Sequence, residues 1–177
     1  MVLLERATVQ AGAVMARVGA GRMADPTPCA EWTVQQLIDH MVGSTDYLAA
    51  ALAGREPVAR SGASADDYRI GARGVLEGLR RPGALDRTCV SPLGFTWSIG
   101  QATAGTFMDN LIHTWDLATA TDQECTLDGE LVDACVAMFL PEMPERGRSA
   151  GLVGPPVPVP PDASAQDRLL GAMGRRP

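Results

Sequence analysis

The sequence predicts an all-α protein, a bundle of four long helices with a short hairpin-like linker and a small C-terminal helix. Four long segments repeat their apolar residues at the three- and four-residue spacing of an amphipathic helix. Residues 87–99 are instead β-rich and alternate around a Pro-Leu-Gly turn. With 177 residues, 46% of them apolar, the chain can bury a core, and we expect one domain over residues 1–177.

Start and stop signals set the bounds of the predicted helices. Gly19 and Gly21 end the first helix. Thr33 and Gln36 can form a capping box at the start of the second helix, and Ser64 can cap the third. The predicted helices cover residues 3–18, 34–53, 64–80, 100–120 and 131–140, and a terminal helix follows in the segment AQDRLLGAM.

The charge of the chain argues against two classes of partner. The net charge at pH 7 is -6 and the isoelectric point is about 4.8. No basic face dense enough to replace phosphate counterions is visible, so we expect neither nucleic acid nor an anionic membrane as a partner. Glu5 and Arg6 interrupt the apolar run that a signal peptide needs, and no apolar stretch reaches membrane-spanning length. We therefore expect a cytoplasmic protein.

The four cysteines are too sparse for the disulfide framework of a small secreted protein. Cys29, Cys89, Cys125 and Cys135 show no CxxC spacing. We expect them to be reduced and mostly buried. We predict no catalytic cysteine, since neither histidine of the chain is left to act as its base.

A candidate metal site comes from the chain's two histidines and one aspartate. Asp109 and His113 stand four residues apart in the fourth predicted helix, so both side chains project from one face. His40 lies beside the apolar stripe of the second helix. If the two helices pack together, the three side chains can hold one divalent ion. Each residue also has a simpler interpretation, as a surface ion pair or as a histidine buried in the core.

Three segments carry a resemblance to a known family: TPCAEWTVQQLIDHMVG, DNLIHTWDLATATDQ and GPPVPVPPDASAQDRLLGAMGRRP. They resemble actinobacterial metal-binding proteins of the DinB-like superfamily, related to the N-terminal domain of mycothiol-dependent maleylpyruvate isomerase. The resemblance implies a DinB-like four-helix bundle with a divalent ion, usually zinc. Its ligands would be His40, Asp109 and His113. Asp109 replaces the family's usual glutamate and is shorter by one methylene group, a difference that can reshape the site or change which metal it prefers.

The same resemblance implies a function. Three protein ligands leave an open position on zinc, which is typical of catalytic sites. We expect a mycothiol-dependent transferase or isomerase in which zinc activates a thiol for attack on a small electrophile, in a monomer or homodimer. Two alternatives stay open: a non-enzymatic metal-binding or stress protein, and a thiol-independent tailoring enzyme of secondary metabolism. Asp116, three residues after His113, can orient that ligand or lie on the helix surface.

Overall fold

The structure is a computed structural model that describes residues 1–124 and 126–177. Within those residues the chain is mostly helical, with seven α-helices and one two-stranded sheet. It divides into two compact units, the first over residues 1–124 and the second over the described residues after 125. The helical class predicted from the sequence is confirmed, whereas one domain over residues 1–177 stays a prediction.

The bounds of the elements follow the predicted order closely. The helices are α1 (Val2–Met15), α2 (Val34–Ala53), α3 (Ala65–Leu79), α4 (Ile99–Ala120), α5 (Gly129–Phe139), α6 (Met143–Ser149) and α7 (Ala165–Ala172). The strands are β1 (Thr88–Val90) and β2 (Thr96–Ser98). None of the helices within the described residues is both long enough and apolar enough to cross a membrane.

The first unit is built from α1 to α4 and the small sheet. Helix α4 packs against α1 and α2, and α3 packs against the same two helices. Its core is a set of fully buried side chains: Leu4, Leu37, Ile38, Met41, Leu48, Tyr68, Ile99, Phe107, Leu111 and Leu117. Because α4 is covered on more than one side, most of its residues from Phe107 onward are buried, polar ones included.

Capping boxes begin the three helices that carry the candidate site or pack beside it. The pairs are Thr33 with Gln36 in α2, Ser64 with Asp67 in α3, and Ser98 with Gln101 in α4. In each pair the first side chain accepts a backbone N–H of the opening turn while the second side chain accepts the N–H of the cap residue. The box at Thr33 confirms the predicted start of α2, and the cap at Ser64 confirms that of α3.

Helix α1 ends earlier than predicted, at Met15 rather than Val18. The N–H of Arg17 donates to the carbonyl of Val14, and that of Val18 donates to Met15. These bonds span three residues rather than four, so the chain tightens into short turns instead of continuing the α-helix.

Helix α6 is absent from the elements predicted above. Pro141 and Pro144 follow the helix predicted over residues 131–140 and indicate its end, yet Pro144 lies in the first turn of α6. A proline is tolerated there because the first-turn N–H groups have no partner within the helix. The same residue type therefore ends one helix and allows the next to begin.

The hairpin-like linker is a two-stranded antiparallel hairpin in which Cys89 pairs with Trp97. Tyr47 of α2 holds it: the Tyr47 hydroxyl donates to the carbonyl of Val90 at 2.8 Å and accepts the indole N–H of Trp97 at 2.7 Å. Burial, together with the nearby Cys89 thiol, raises the pKa of Tyr47 to about 12. The hydroxyl therefore keeps its proton at neutral pH and pins the hairpin to α2.

The described cysteines form no disulfide with one another. Cys135 is buried, and burial raises the pKa of its thiol to about 12. Cys29 and Cys89 are only half-buried, so the prediction of mostly buried cysteines holds for Cys135 alone. Cys125 lies outside the described residues.

The second unit contains α5, α6, α7 and the proline-rich segment before α7. The N–H of Val157 donates to the carbonyl of Gly171 in α7 at 2.9 Å. A Cβ at Gly171 would lie 2.7 Å from the Val157 carbonyl oxygen. The proline-rich segment can therefore approach α7 this closely only because residue 171 is a glycine.

This close approach gives a stability prediction with a matched control. Gly171→Ala should lower the free energy of unfolding by about 1–3 kcal/mol, because a methyl group cannot fit beside a backbone oxygen. Gly74→Ala, in an exposed part of α3 with no atom within 4 Å of the new Cβ, should be neutral or stabilising by up to about 1 kcal/mol. Urea unfolding followed by circular dichroism measures both. Equal effects of the two substitutions would contradict the proposed packing.

Candidate metal centre

Three donor atoms from two helices meet at one point of the first unit. Helix α4 presents Asp109 and His113 from consecutive turns, and α2 presents His40. Asp109 Oδ1 lies 3.0 Å from His40 Nε2 and 3.3 Å from His113 Nε2. The packing of α2 on α4, which the spacing argument needed, thus brings the three sequence-predicted side chains together. Their role as metal ligands stays a prediction.

The donor set fits a zinc ion in both chemistry and spacing. Imidazole nitrogen and carboxylate oxygen are common zinc ligands, and tetrahedral bonds of the usual length place neighbouring ligand atoms about 3.3–3.5 Å apart. All three donor atoms lie within 4.8 Å of one another. The group is also reachable from solvent, since the side chains of His40 and Asp109 are 34% and 24% exposed. An ion at this point would have space for a further ligand.

Two polar neighbours hold the donors in place. The hydroxyl of Ser44, one turn after His40 on α2, donates to Asp109 Oδ2 at 2.7 Å. Asp116, whose side chain is completely buried, accepts the N–H of His113 Nδ1 at 2.8 Å. A carboxylate on the second nitrogen of a histidine sets the orientation of its ring and increases its basicity as a ligand. Asp116 therefore orients His113, which is the first of the two roles that the sequence left open.

The charges of the site stabilise one another. Burial alone would raise the pKa of Asp109, but the neighbouring His113 and His40 outweigh it and hold that pKa well below its ordinary value. Burial alone would lower the pKa of His113, but Asp109 and Asp116 outweigh it and raise that pKa well above its ordinary value. In the metal-free protein, an ionised Asp109 thus faces a histidine that keeps its proton to unusually high pH.

Trp32 forms an aromatic wall at one end of the site. Its ring lies 4.6 Å from that of His40 and 5.7 Å from that of His113, between ring centroids. The backbone N–H of Trp32 donates to the carbonyl of Cys29 at 2.8 Å, which fixes the start of α2 relative to the preceding loop. The indole limits the directions from which a ligand can reach the three donors.

The sequence interpretation missed the contacts of Ser44 and Cys29. Ser44 follows His40 by four residues, so helical spacing was a signal that could have placed it on the same face. No comparable signal existed for Cys29, which lies in a loop. Its Sγ donates to Asp116 Oδ2 at 3.2 Å and lies 3.8 Å from His113 Nδ1. His113 thus lies close to a cysteine, while the expectation that no cysteine is catalytic stays a prediction.

Comparison with known proteins places the site in a family context. Residues 4–118 match the family described as the mycothiol maleylpyruvate isomerase N-terminal domain. The chain is also similar to an uncharacterized protein of Mycobacterium tuberculosis, found in two strains. This chain is 33% identical to the protein of each strain, and the match covers 97% of this chain and 94% of the relative. No solved structure matches the chain. The range matched by the family includes all three donor residues.

Proposed function

Since the chain belongs to the family of the mycothiol maleylpyruvate isomerase N-terminal domain, we propose that it is a divalent-metal-binding protein with mycothiol as its co-substrate. Its reaction is a thiol-dependent transfer or isomerisation on a small electrophile. The first four helices form a DinB-like four-helix bundle around the metal centre, and the ion is zinc. A cytoplasmic location and a monomeric or homodimeric state stay predictions.

The observation that carries this proposal is the convergence of His40, Asp109 and His113. The Nε2 atoms of His40 and His113 lie 3.0 and 3.3 Å from Asp109 Oδ1. A set of two imidazole nitrogens and one carboxylate oxygen suits zinc better than magnesium or calcium, which prefer all-oxygen sites. Three protein ligands leave room for an external one, a feature of catalytic rather than structural zinc sites. When bound, such an ion lowers the pKa of a coordinated thiol or water, which makes it a nucleophile near neutral pH.

The chain's own residues prepare the site for this chemistry. Asp116 and Ser44 orient His113 and Asp109, so the donor atoms need little rearrangement when an ion binds. Trp32 lies against both imidazole rings and covers one end of the site. The exposed sides of His40 and Asp109 leave an approach for a small thiol and its electrophilic partner.

Cobalt substitution tests whether an external thiol enters the site. A thiolate ligand on cobalt(II) produces a strong near-ultraviolet charge-transfer band, so adding mycothiol to the cobalt protein should create that band. The band should also appear in a variant with all four cysteines changed to serine, because the thiol comes from outside the chain. Glycerol or an oxidised disulfide of the same thiol serves as the control and should leave the spectrum unchanged.

Two results would contradict the proposal in different ways. A cobalt spectrum that no low-molecular-weight thiol alters would favour a thiol-independent metal site. A charge-transfer band that is present before any thiol is added, and absent in the cysteine-free variant, would identify an internal cysteine as a ligand.

A further inference from the structure

We propose that Cys29 is a positioning residue of the metal centre, acting through Asp116 on the ligand His113; this inference rests on the proposed metal site. The thiol of Cys29 is the outer end of a continuous chain of polar contacts. Its S–H donates to Asp116 Oδ2 at 3.2 Å, and the same oxygen accepts His113 Nδ1–H at 2.8 Å. His113 Nε2, on the other side of the ring, then faces Asp109 at 3.3 Å.

The loop before α2 is built to hold this thiol in place. Thr27 uses one hydroxyl to accept the backbone N–H of Cys29 at 3.1 Å and to donate to the carbonyl of Trp32 at 2.9 Å. The N–H of Trp32 in turn donates to the carbonyl of Cys29. Pro26 and Thr33 close the loop as an isolated antiparallel bridge. Both backbone groups of Cys29 are therefore bonded within the loop, and its side chain is directed at Asp116.

The position of the sulfur separates this role from that of a fourth metal ligand. Cys29 Sγ approaches the Nδ1 edge of His113, at 3.8 Å, whereas the proposed ligand atom is Nε2 on the opposite edge. The imidazole ring thus stands between the thiol and the ion. Cys29 is therefore not placed as a ligand of this ion, and its hydrogen bond to Asp116 is the route by which it acts on His113.

The thiol restrains Asp116. A second donor on Oδ2 restricts rotation of the carboxylate, which keeps that oxygen in line with His113 Nδ1. Because Asp116 is completely buried, water does not readily replace a lost donor. Removal of the thiol should therefore loosen the orientation of His113 and weaken metal binding.

Zinc affinity, measured by competition with a chelator, tests this proposal in three variants. Cys29→Ala removes the donor and should weaken zinc binding about tenfold, the low end of the range for residues that support a metal ligand. Cys29→Ser restores an O–H donor and should stay close to the unmodified protein. Cys89→Ala is the matched control: Cys89 is also half-buried, but it contacts Tyr47 rather than the metal site. Equal affinities for Cys29→Ala and the control would overturn the proposal.

A double-mutant cycle shows whether Cys29 acts through Asp116. In an Asp116→Asn background, Cys29→Ala should cause little further loss of zinc affinity, because the carboxylate that transmits the effect is gone. Fully additive losses would overturn the proposed route. The visible bands of the cobalt protein, recorded without added thiol, should change in Cys29→Ala and not in Cys29→Ser. A general loss of stability would not change the coordination spectrum in this selective way.

Failure of this inference differs from failure of the proposed function. If zinc binds with equal affinity to all the cysteine variants, the metal site stands and the role of Cys29 is wrong. If the unmodified protein binds no zinc, both are wrong. Loss of a second equivalent of zinc in Cys29→Ala would show instead that Cys29, His113 and Asp116 hold an ion of their own, and would overturn the positioning role.

Discussion

Replacing His40 or His113 by alanine should remove almost all of the bound metal, from about one ion per chain to a trace. Each substitution deletes one of three protein ligands, and the two that remain cannot compete with chelating buffer components. Elemental analysis of the purified variants measures the loss. Far-ultraviolet circular dichroism of the same samples should stay dominated by helix, because His40 is one-third exposed and neither ring belongs to the apolar core.

A pair of aspartates supplies the control for this result. Asp109→Ala should lose metal as the histidine variants do. Asp46 lies on α2, as His40 does, but its carboxylate pairs with Arg60. Asp46→Ala should therefore retain the bound metal. Full metal retention in both histidine variants would refute the ligand assignment. A spectrum dominated by strand would refute the helical arrangement on which it depends.

The apparent affinity for zinc should rise steeply with pH. In the metal-free protein Asp109 and Asp116 raise the pKa of His113 above its ordinary value of 6.5, so at neutral pH the ring holds a proton that the ion must displace. Below the raised pKa, affinity should increase about tenfold per pH unit for this proton, and it should level off above it. The pKa of Asp109 is lowered, so that carboxylate is ionised throughout and adds no slope near neutrality. Competition titrations at about pH 6, 7 and 8 measure the slope, and a flat profile would contradict the raised pKa.

The stability of the metal-free protein should respond to pH in the opposite sense. A histidine whose pKa is raised by folding contributes stability that is fully present below 6.5, its ordinary value, and that disappears as the pH rises through the raised pKa. Urea unfolding of the metal-free protein should therefore show a loss of stability on the alkaline side. His113→Ala should remove this dependence, which separates it from the other titrating groups of the chain.

Most helix bounds could be predicted because their signals are local. A capping box needs residues three apart, so Thr33 with Gln36 located the start of α2 from sequence alone. The end of α1 could not be placed in the same way. Its last turns tighten into three-residue hydrogen bonds, which side-chain spacing does not report. Helix α6 was missed because a proline signals both the end of one helix and the first turn of another.

For the site, the sequence by itself determined which side chains share a helix face. Asp109 and His113 project from the same face of α4 because four residues make about one helical turn, and Asp116 lies on that face one turn further along. Only the tertiary structure decided what these side chains meet. His40 reaches Asp109 because α2 packs on α4, and Cys29 reaches Asp116 because the loop before α2 folds back over α4. Those contacts join residues 69 and 87 positions apart. They arise from packing of apolar faces that are not specific to any one partner, so no local pattern of residues encodes them.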